Sequence, residues 1–198
     1  MKKLKSTLPN MAGVLTITTM IAGFLLGYVY RSTAEARDKA SSDKLVGAIS
    51  QVVSGFDNDP VSSKTTVTAG SSQITIYPAT HDGRLIGCAA ESSSDNGFSG
   101  KITIVAGFDP DGNILGYEVT SHAETPGLGA KMNDWFRGTG SRSVIGRNPS
   151  SRPLKVSKDG GEVDGITAAT ISSRAFLEAL NIASEGAMTY FRQSTENK

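Results

Sequence analysis

At 198 residues the chain is long enough for one domain and an appendage. A formal net charge of +1 gives no basic field for nucleic acid. A single cysteine, Cys88, excludes an intramolecular disulfide and a thiolate-built zinc site.

Residues 6–30 carry no charge, and from Met11 to Tyr30 the run is apolar apart from threonines that a helix satisfies internally. About 20 such residues span a bilayer as a helix. Lys2, Lys3 and Lys5 precede the run and Arg31 follows it, which places the short lysine-rich end in the cytoplasm. Tyr28 and Tyr30 sit where interfacial aromatics belong. The expected organisation is a cytoplasmic N-terminus (1–8), a transmembrane helix (9–30), a helical stalk (31–55), a main domain on the outer side (56–192) and a polar tail (193–198). A cleaved leader ending at Ala34-Glu35-Ala36 is the rival reading, but the apolar run exceeds the usual h-region of about 7–15 residues. Gly23 and Gly27 form a GxxxG pair, which permits close helix contact but also arises by chance.

Leu45, Ile49, Val52 and Val53 recur at helical spacing, so 43–54 reads as an amphipathic helix ended by Gly55. Residues 56–72 read as turn and loop around Asp57-Asn58-Asp59-Pro60. From Gln73 the period changes to two: Ile74 and Ile76 alternate with polar residues, and Arg84–Ala90 is a second short run. Lys101–Phe108 and Ile114–Thr120 are the clearest strands, an antiparallel hairpin joined by Asp109-Pro110-Asp111-Gly112-Asn113. A glycine-rich loop covers 121–130, Asn133–Phe136 reads as a helical turn, and 138–153 as loop. Leu154–Val156 and Val163–Ile166 suggest a last hairpin. A helix then starts near Ser172 and buries Phe176, Leu180, Ala183 and Ala187. The whole reads as α+β: a mostly antiparallel sheet with flanking helices, on a single N-terminal transmembrane helix.

Two motifs carry chemistry. The first runs from Asp164 to Ser173 (Asp-Gly-Ile-Thr-Ala-Ala-Thr-Ile-Ser-Ser). Its hydroxyls lie at a helix start, where free amides and the dipole suit a phosphate; taken alone, they read as an N-cap cluster. The second runs from His122 to Lys131 (His-Ala-Glu-Thr-Pro-Gly-Leu-Gly-Ala-Lys). Taken alone, it is a Pro-Gly turn. Gly127 and Gly129 let the backbone lie close to a planar ligand, Glu124 and Thr125 offer polar contacts, and Leu128 offers an apolar one. His81, His122 and Cys88 read as loop or core residues. Trp135-Phe136 reads as a core anchor before a stacking partner, and Arg137, Arg142, Arg147 and Arg152 as solvated residues or subunit contacts.

Together, these strings resemble the FMN-binding domain shared by RnfG of the Rnf electron-transport complex and NqrC of the sodium-pumping NADH:quinone reductase. The attachment pattern of that family is Asp-x-x-(Ser/Thr)-Gly-Ala-Thr, matched here by Asp164, Thr167, Ala169 and Thr170, with Ala168 where the family has Gly. The resemblance implies FMN joined through its phosphate to the Thr170 hydroxyl, making a covalent flavoprotein and phosphoprotein. A separate flavin transferase makes the bond from FAD outside the cytoplasm. It also implies ring contacts from Glu124, Thr125, Gly127, Leu128 and Gly129, with Lys131, Arg174 or the helix start offsetting phosphate charge. The implied function is electron relay within an ion-translocating ferredoxin:NAD oxidoreductase of the inner membrane, alongside membrane and iron–sulfur subunits. The chain is then a translocase subunit, not a stand-alone enzyme, with its C-terminal domain periplasmic. Alternative readings are a flavin-free binding or assembly subunit of the same fold, which Ala168 favours, the related NqrC protein, or a secreted reductase released by leader cleavage.

Overall fold

The computed structural model describes residues 7–70 and 72–196. Lys2, Lys3 and Lys5 lie outside the described residues. The chain divides into two units, residues 1–43 and 44–198. In the first, α1 (Leu8–Ser32) starts with Pro9 in its first turn, where a missing N–H costs nothing. None of its residues is buried, and it is long and apolar enough to cross a membrane. The threonine hydroxyls turn back on the helix: Thr16 and Thr19 donate to the Ala12 and Leu15 carbonyls at 2.9 Å each. No hydroxyl proton of these two is therefore left unpaired in apolar surroundings. A second helix, α2 (Ala34–Val52), follows and runs across the boundary between the units.

The second unit is built on a five-stranded antiparallel meander: β1 (Thr65–Ala69), β2 (Ser72–His81), β3 (Arg84–Gly97), β4 (Gly100–Phe108) and β5 (Ile114–Ser121), in the order 1-2-3-4-5. Period-two alternation gives each strand two different faces. Ile74, Ile76, Cys88, Ala90, Ile102, Ile104, Ala106 and Phe108 face one core. Tyr77, Ala79, Ala89 and Val105 face the other. The first core is closed by α4 (Thr170–Glu196), through Phe176, Leu180, Ala183 and Ala187. Full burial of a side chain such as Phe176 contributes roughly 2–3 kcal/mol. The second core is closed by Ala48, Ile49, Val52 and Val53 at the end of α2. Gly107 permits this approach, because a Cβ there would collide with the Val52 carbonyl.

Three rings lock the connecting segment to α4. Phe136 stacks on Phe176 at 4.5 Å, and Tyr117 meets Phe176 edge-on at 4.8 Å. The Tyr117 hydroxyl donates to the Met132 carbonyl at 2.7 Å, and burial raises its pKa. Met132 opens the short helix α3 (Met132–Trp135) and Phe136 follows it, and both are buried in the core that α4 closes.

The structure departs from the sequence reading in three places. The 56–72 segment contains β1, whose threonines mask the alternation of Val67 and Ala69 toward the core. The last hairpin is absent: Val156 and Val163 make one isolated parallel bridge. Between them Ser157–Asp159 winds into a 3-10 turn ended by Gly160 at φ 77°, so no antiparallel ladder forms. Finally, α4 starts at Thr170 instead of near Ser172.

Candidate functional site

The Asp164–Ser173 motif is a turn leading into α4. The Ala169 amide donates to the Ile166 carbonyl at 3.0 Å, which closes a turn over Thr167 and Ala168. Ala168 occupies its third position with φ 61°, a left-handed conformation that costs an alanine roughly 1 kcal/mol and a glycine little. Ser173, fully buried, holds the turn: its hydroxyl donates to the Ala169 carbonyl and accepts from the Ile166 amide, both at 2.9 Å. Because the Ser173 amide also donates to Ala169, Ala169 is the first acceptor of the helix. It has no side-chain oxygen to cap the free amides of the first turn. Those amides remain available to an anion.

Thr170 stands between two cavities. The first, of about 330 Å³, is lined by Phe98, Glu124, Thr125, Leu128, Gly129, Ala168, Ala169, Ile171 and Ser172 besides Thr170. It is mainly apolar. Phe98, Leu128 and Ile171 are 70%, 41% and 47% exposed and form its rim. Its only charged side chain is Glu124, which is buried and bonded at both oxygens. One oxygen accepts from the Ser99 amide at 2.9 Å, the other from the Ser172 hydroxyl at 2.6 Å. Glu124 thus fastens the β3–β4 turn to the first turn of α4. Gly129 leaves room for this clasp, since a Cβ there would strike both Glu124 and the Ser172 hydroxyl. The Thr125–Leu128 turn is closed by the Leu128 amide on the Thr125 carbonyl at 3.1 Å, with Pro126 second and Gly127 third at φ 78°.

The second cavity, of about 570 Å³, is lined by Trp135, Arg142, Ser157, Lys158, Asp164 and Thr167, among others, and again by Ala168 and Thr170. It is less apolar than the first and carries Lys158, Arg142 and the Asp164 carboxylate. Lys158 donates to the Thr170 hydroxyl oxygen at 3.3 Å. Arg142 lies over the Trp135 ring, 5.1 Å from its centroid. The Trp135 indole donates to the Asp164 carbonyl at 2.8 Å, and the Asp164 carboxylate accepts from Ser141. Asp164 therefore braces the turn from the side, with its carboxylate already engaged.

The sequence-derived residues divide between the two cavities. Glu124, Thr125, Leu128, Gly129 and Ala169 line the apolar one; Asp164 and Thr167 line the polar one; Thr170 lines both. Gly127 and Lys131 line neither, Gly127 acting instead through the turn it permits. Arg174 is held by Asp159 through two bonds of 2.7 Å, which raises its pKa and lowers that of Asp159. Sequence reasoning missed Phe98 and Lys158. The first sits at a hairpin tip and the second on a turn read as part of a hairpin, so neither is near a motif in sequence. Arg142, read as a solvated residue or a subunit contact, lines the polar cavity.

Both cavities together can take a flat, largely apolar group and an adjoining anion, and the donor set suits FMN. Residues 97–185, which contain most of both cavities, match the FMN-binding domain family. The G subunit (RnfG) of the ion-translocating oxidoreductase complex of Aliivibrio fischeri is 32% identical over 189 residues, covering 90% of this chain and 89% of that protein. Its counterpart from Pseudoalteromonas atlantica is 32% identical over 178 residues, covering 84% and 82%. That of Vibrio vulnificus is 40% identical over 121 residues, covering 59% and 56%. On this likeness along most of its length, the chain belongs to the RnfG family of ion-translocating oxidoreductase complex subunits.

Proposed function

We propose that this chain is the flavin-bearing subunit of an Rnf-type ion-translocating ferredoxin:NAD oxidoreductase, with FMN attached to Thr170 through a phosphoester bond. The observation that carries the reading is the position of Thr170: an uncapped helix start where an apolar cavity and a cation-lined cavity meet. The first-turn amides and Lys158 would face the phosphate, while Leu128, Phe98 and the Thr125–Gly129 backbone would cover the ring. When bound, the isoalloxazine ring supplies one- and two-electron transfer. The chain supplies position, a partly apolar surrounding and a tether that keeps the group at high effective concentration. Its other partners are the membrane and iron–sulfur subunits of the complex and the flavin transferase. The apolar helix α1 anchors it in the inner membrane, with the C-terminal unit periplasmic, as the lysine-rich N-terminus favours.

The test is co-expression of the full chain with and without a flavin transferase. A fluorescent flavin band is expected on a denaturing gel with the transferase, lost in Thr170→Val and kept in Thr167→Val. The strained Ala168 supports a second reading, a flavin-free assembly subunit of the same fold. No covalent flavin under co-expression would establish that second reading over the first.

A further inference from the structure

We infer that Lys158 is the positioning residue for covalent attachment at Thr170: its ammonium orients the hydroxyl oxygen for attack and then neutralises the phosphodiester formed there. The inference rests on the reading of Thr170 as the flavin acceptor. Lys158 donates to the Thr170 hydroxyl oxygen at 3.3 Å and takes nothing from its proton, since an ammonium has no acceptor. The hydroxyl proton therefore stays free to leave, while the oxygen that becomes nucleophilic is held beside a positive charge. Among the described residues no carboxylate lies within 4 Å of the Lys158 ammonium, so its charge is not spent on a protein partner.

The support of Lys158 is built into the fold. It sits in the middle of the Ser157–Asp159 turn. Its neighbour Asp159 is clamped to Arg174 on the first turns of α4 by two bonds of 2.7 Å. The other end is tied by the Ser157 amide to the Val163 carbonyl at 2.8 Å. The turn is thus referenced to the same helix that carries Thr170. Arg174 is the brace in this arrangement; among the described residues Lys158 and Arg142 line the cavity without an ion pair, and Lys158 is the one that reaches Thr170. Lys131 lines neither cavity.

In the step itself, the bond between the Thr170 oxygen and the FMN phosphorus forms as the pyrophosphate P–O bond of FAD breaks. AMP leaves, the hydroxyl proton passes to the transferase or solvent, and no electrons are exchanged. Negative charge builds on the threonine oxygen as its proton leaves, then passes to the transferred phosphoryl group and the departing AMP oxygen, and the product diester is a monoanion. A charge-assisted hydrogen bond at that oxygen acts on both.

The full chain in detergent, purified without flavin, is mixed with flavin transferase and FAD, and the fluorescent band is followed in time. Lys158→Met should slow attachment by about tenfold or more, mainly in kcat. Lys158→Arg should restore most of the rate. Because Lys158 is exposed, neither change should shift the thermal midpoint of the flavin-free protein. The phosphorus-31 resonance of fully loaded Lys158→Met should differ from that of the loaded wild type. Attachment at the wild-type rate in Lys158→Met overturns the inference and leaves Thr170 as the acceptor. Equal failure of the Met and Arg variants also overturns it, since charge would then not be the cause. An unlabelled wild type removes the acceptor reading, and this inference with it.

Discussion

The two cavities beside Thr170 share residues yet differ in chemistry. One is walled by Phe98, Leu128, Ala169 and Ile171, with its single carboxylate consumed by Ser99 and Ser172. The other holds Lys158, Arg142, Asp164 and Trp135. An apolar wall favours a flat ring, and a cationic wall favours its phosphate. On the proposed reading, a ligand with both parts would bind in one orientation, because reversing it would put an anion among apolar side chains.

The contrast can be broken at Thr170 first. Thr170→Val should abolish the covalent flavin entirely on a denaturing gel, with the fold intact, since among the described residues its hydroxyl bonds only to the exposed Lys158. Next in size is the clasp on the apolar side. Glu124→Leu strands the Ser99 amide and the Ser172 hydroxyl and should cost about 2–4 kcal/mol in urea unfolding. Glu124→Gln should cost less, because it still accepts one bond. If Glu124→Gln kept stability but erased flavin binding, the carboxylate would be touching the ring directly and the division of roles would need revision. At the ridge between the cavities, Ala168→Gly should stabilise the flavin-free protein by up to about 1 kcal/mol and leave attachment no slower. On the rim, Phe98→Ala should change stability by less than about 0.5 kcal/mol. It should nevertheless raise iodide quenching of the attached flavin, which sharpens the assignment of the ring to that side.

The smallest effect is one of pH. Its hydrogen bonds to Arg174 hold the Asp159 carboxyl below its ordinary 3.8. A carboxyl lowered in the folded state contributes above the unfolded value and loses that contribution as pH falls through the folded one. The brace under Lys158 should therefore persist across pH 5–8, and attachment rates for wild type and Asp159→Asn should keep a constant ratio there. A ratio that drifts within this interval would mean another group controls the turn.

Much of this was legible because local pattern and tertiary packing agreed. The strands Lys101–Phe108 and Ile114–Thr120 alternate cleanly, and Phe176, Leu180, Ala183 and Ala187 mark the face of α4 that the core receives. Thr170 and the Glu124–Gly129 string were singled out by resemblance to the family's motifs, since taken alone they read as a cap cluster and a turn; folding brings them to one cavity. Lys158 and Phe98 were not singled out, because each reaches the site across a chain separation that only folding removes. The last hairpin was misread for a related reason: Val156 and Val163 are apolar and separated by a Gly-containing segment, but that segment winds into a 3-10 turn ended by Gly160 in the left-handed region, leaving one parallel bridge. Ala168 is the instructive case. Its departure from the family's glycine was visible, while its left-handed backbone, a conformation glycine adopts at little cost, was not; Ser173 holds the strained turn.

The strand order 1-2-3-4-5 has a kinetic consequence. Every ladder joins sequence neighbours, and such local topologies fold fast, because little loop entropy is lost before contacts form. The bonds that complete the acceptor are of the opposite kind: Ser92 to Ala179 and Ser172 to Glu124 span 87 and 48 residues. The sheet can therefore assemble first and α4 dock last, so that Thr170 reaches its final geometry only at the end of folding. A transferase that requires this geometry would modify finished molecules and pass over incomplete ones, making attachment a checkpoint on maturation.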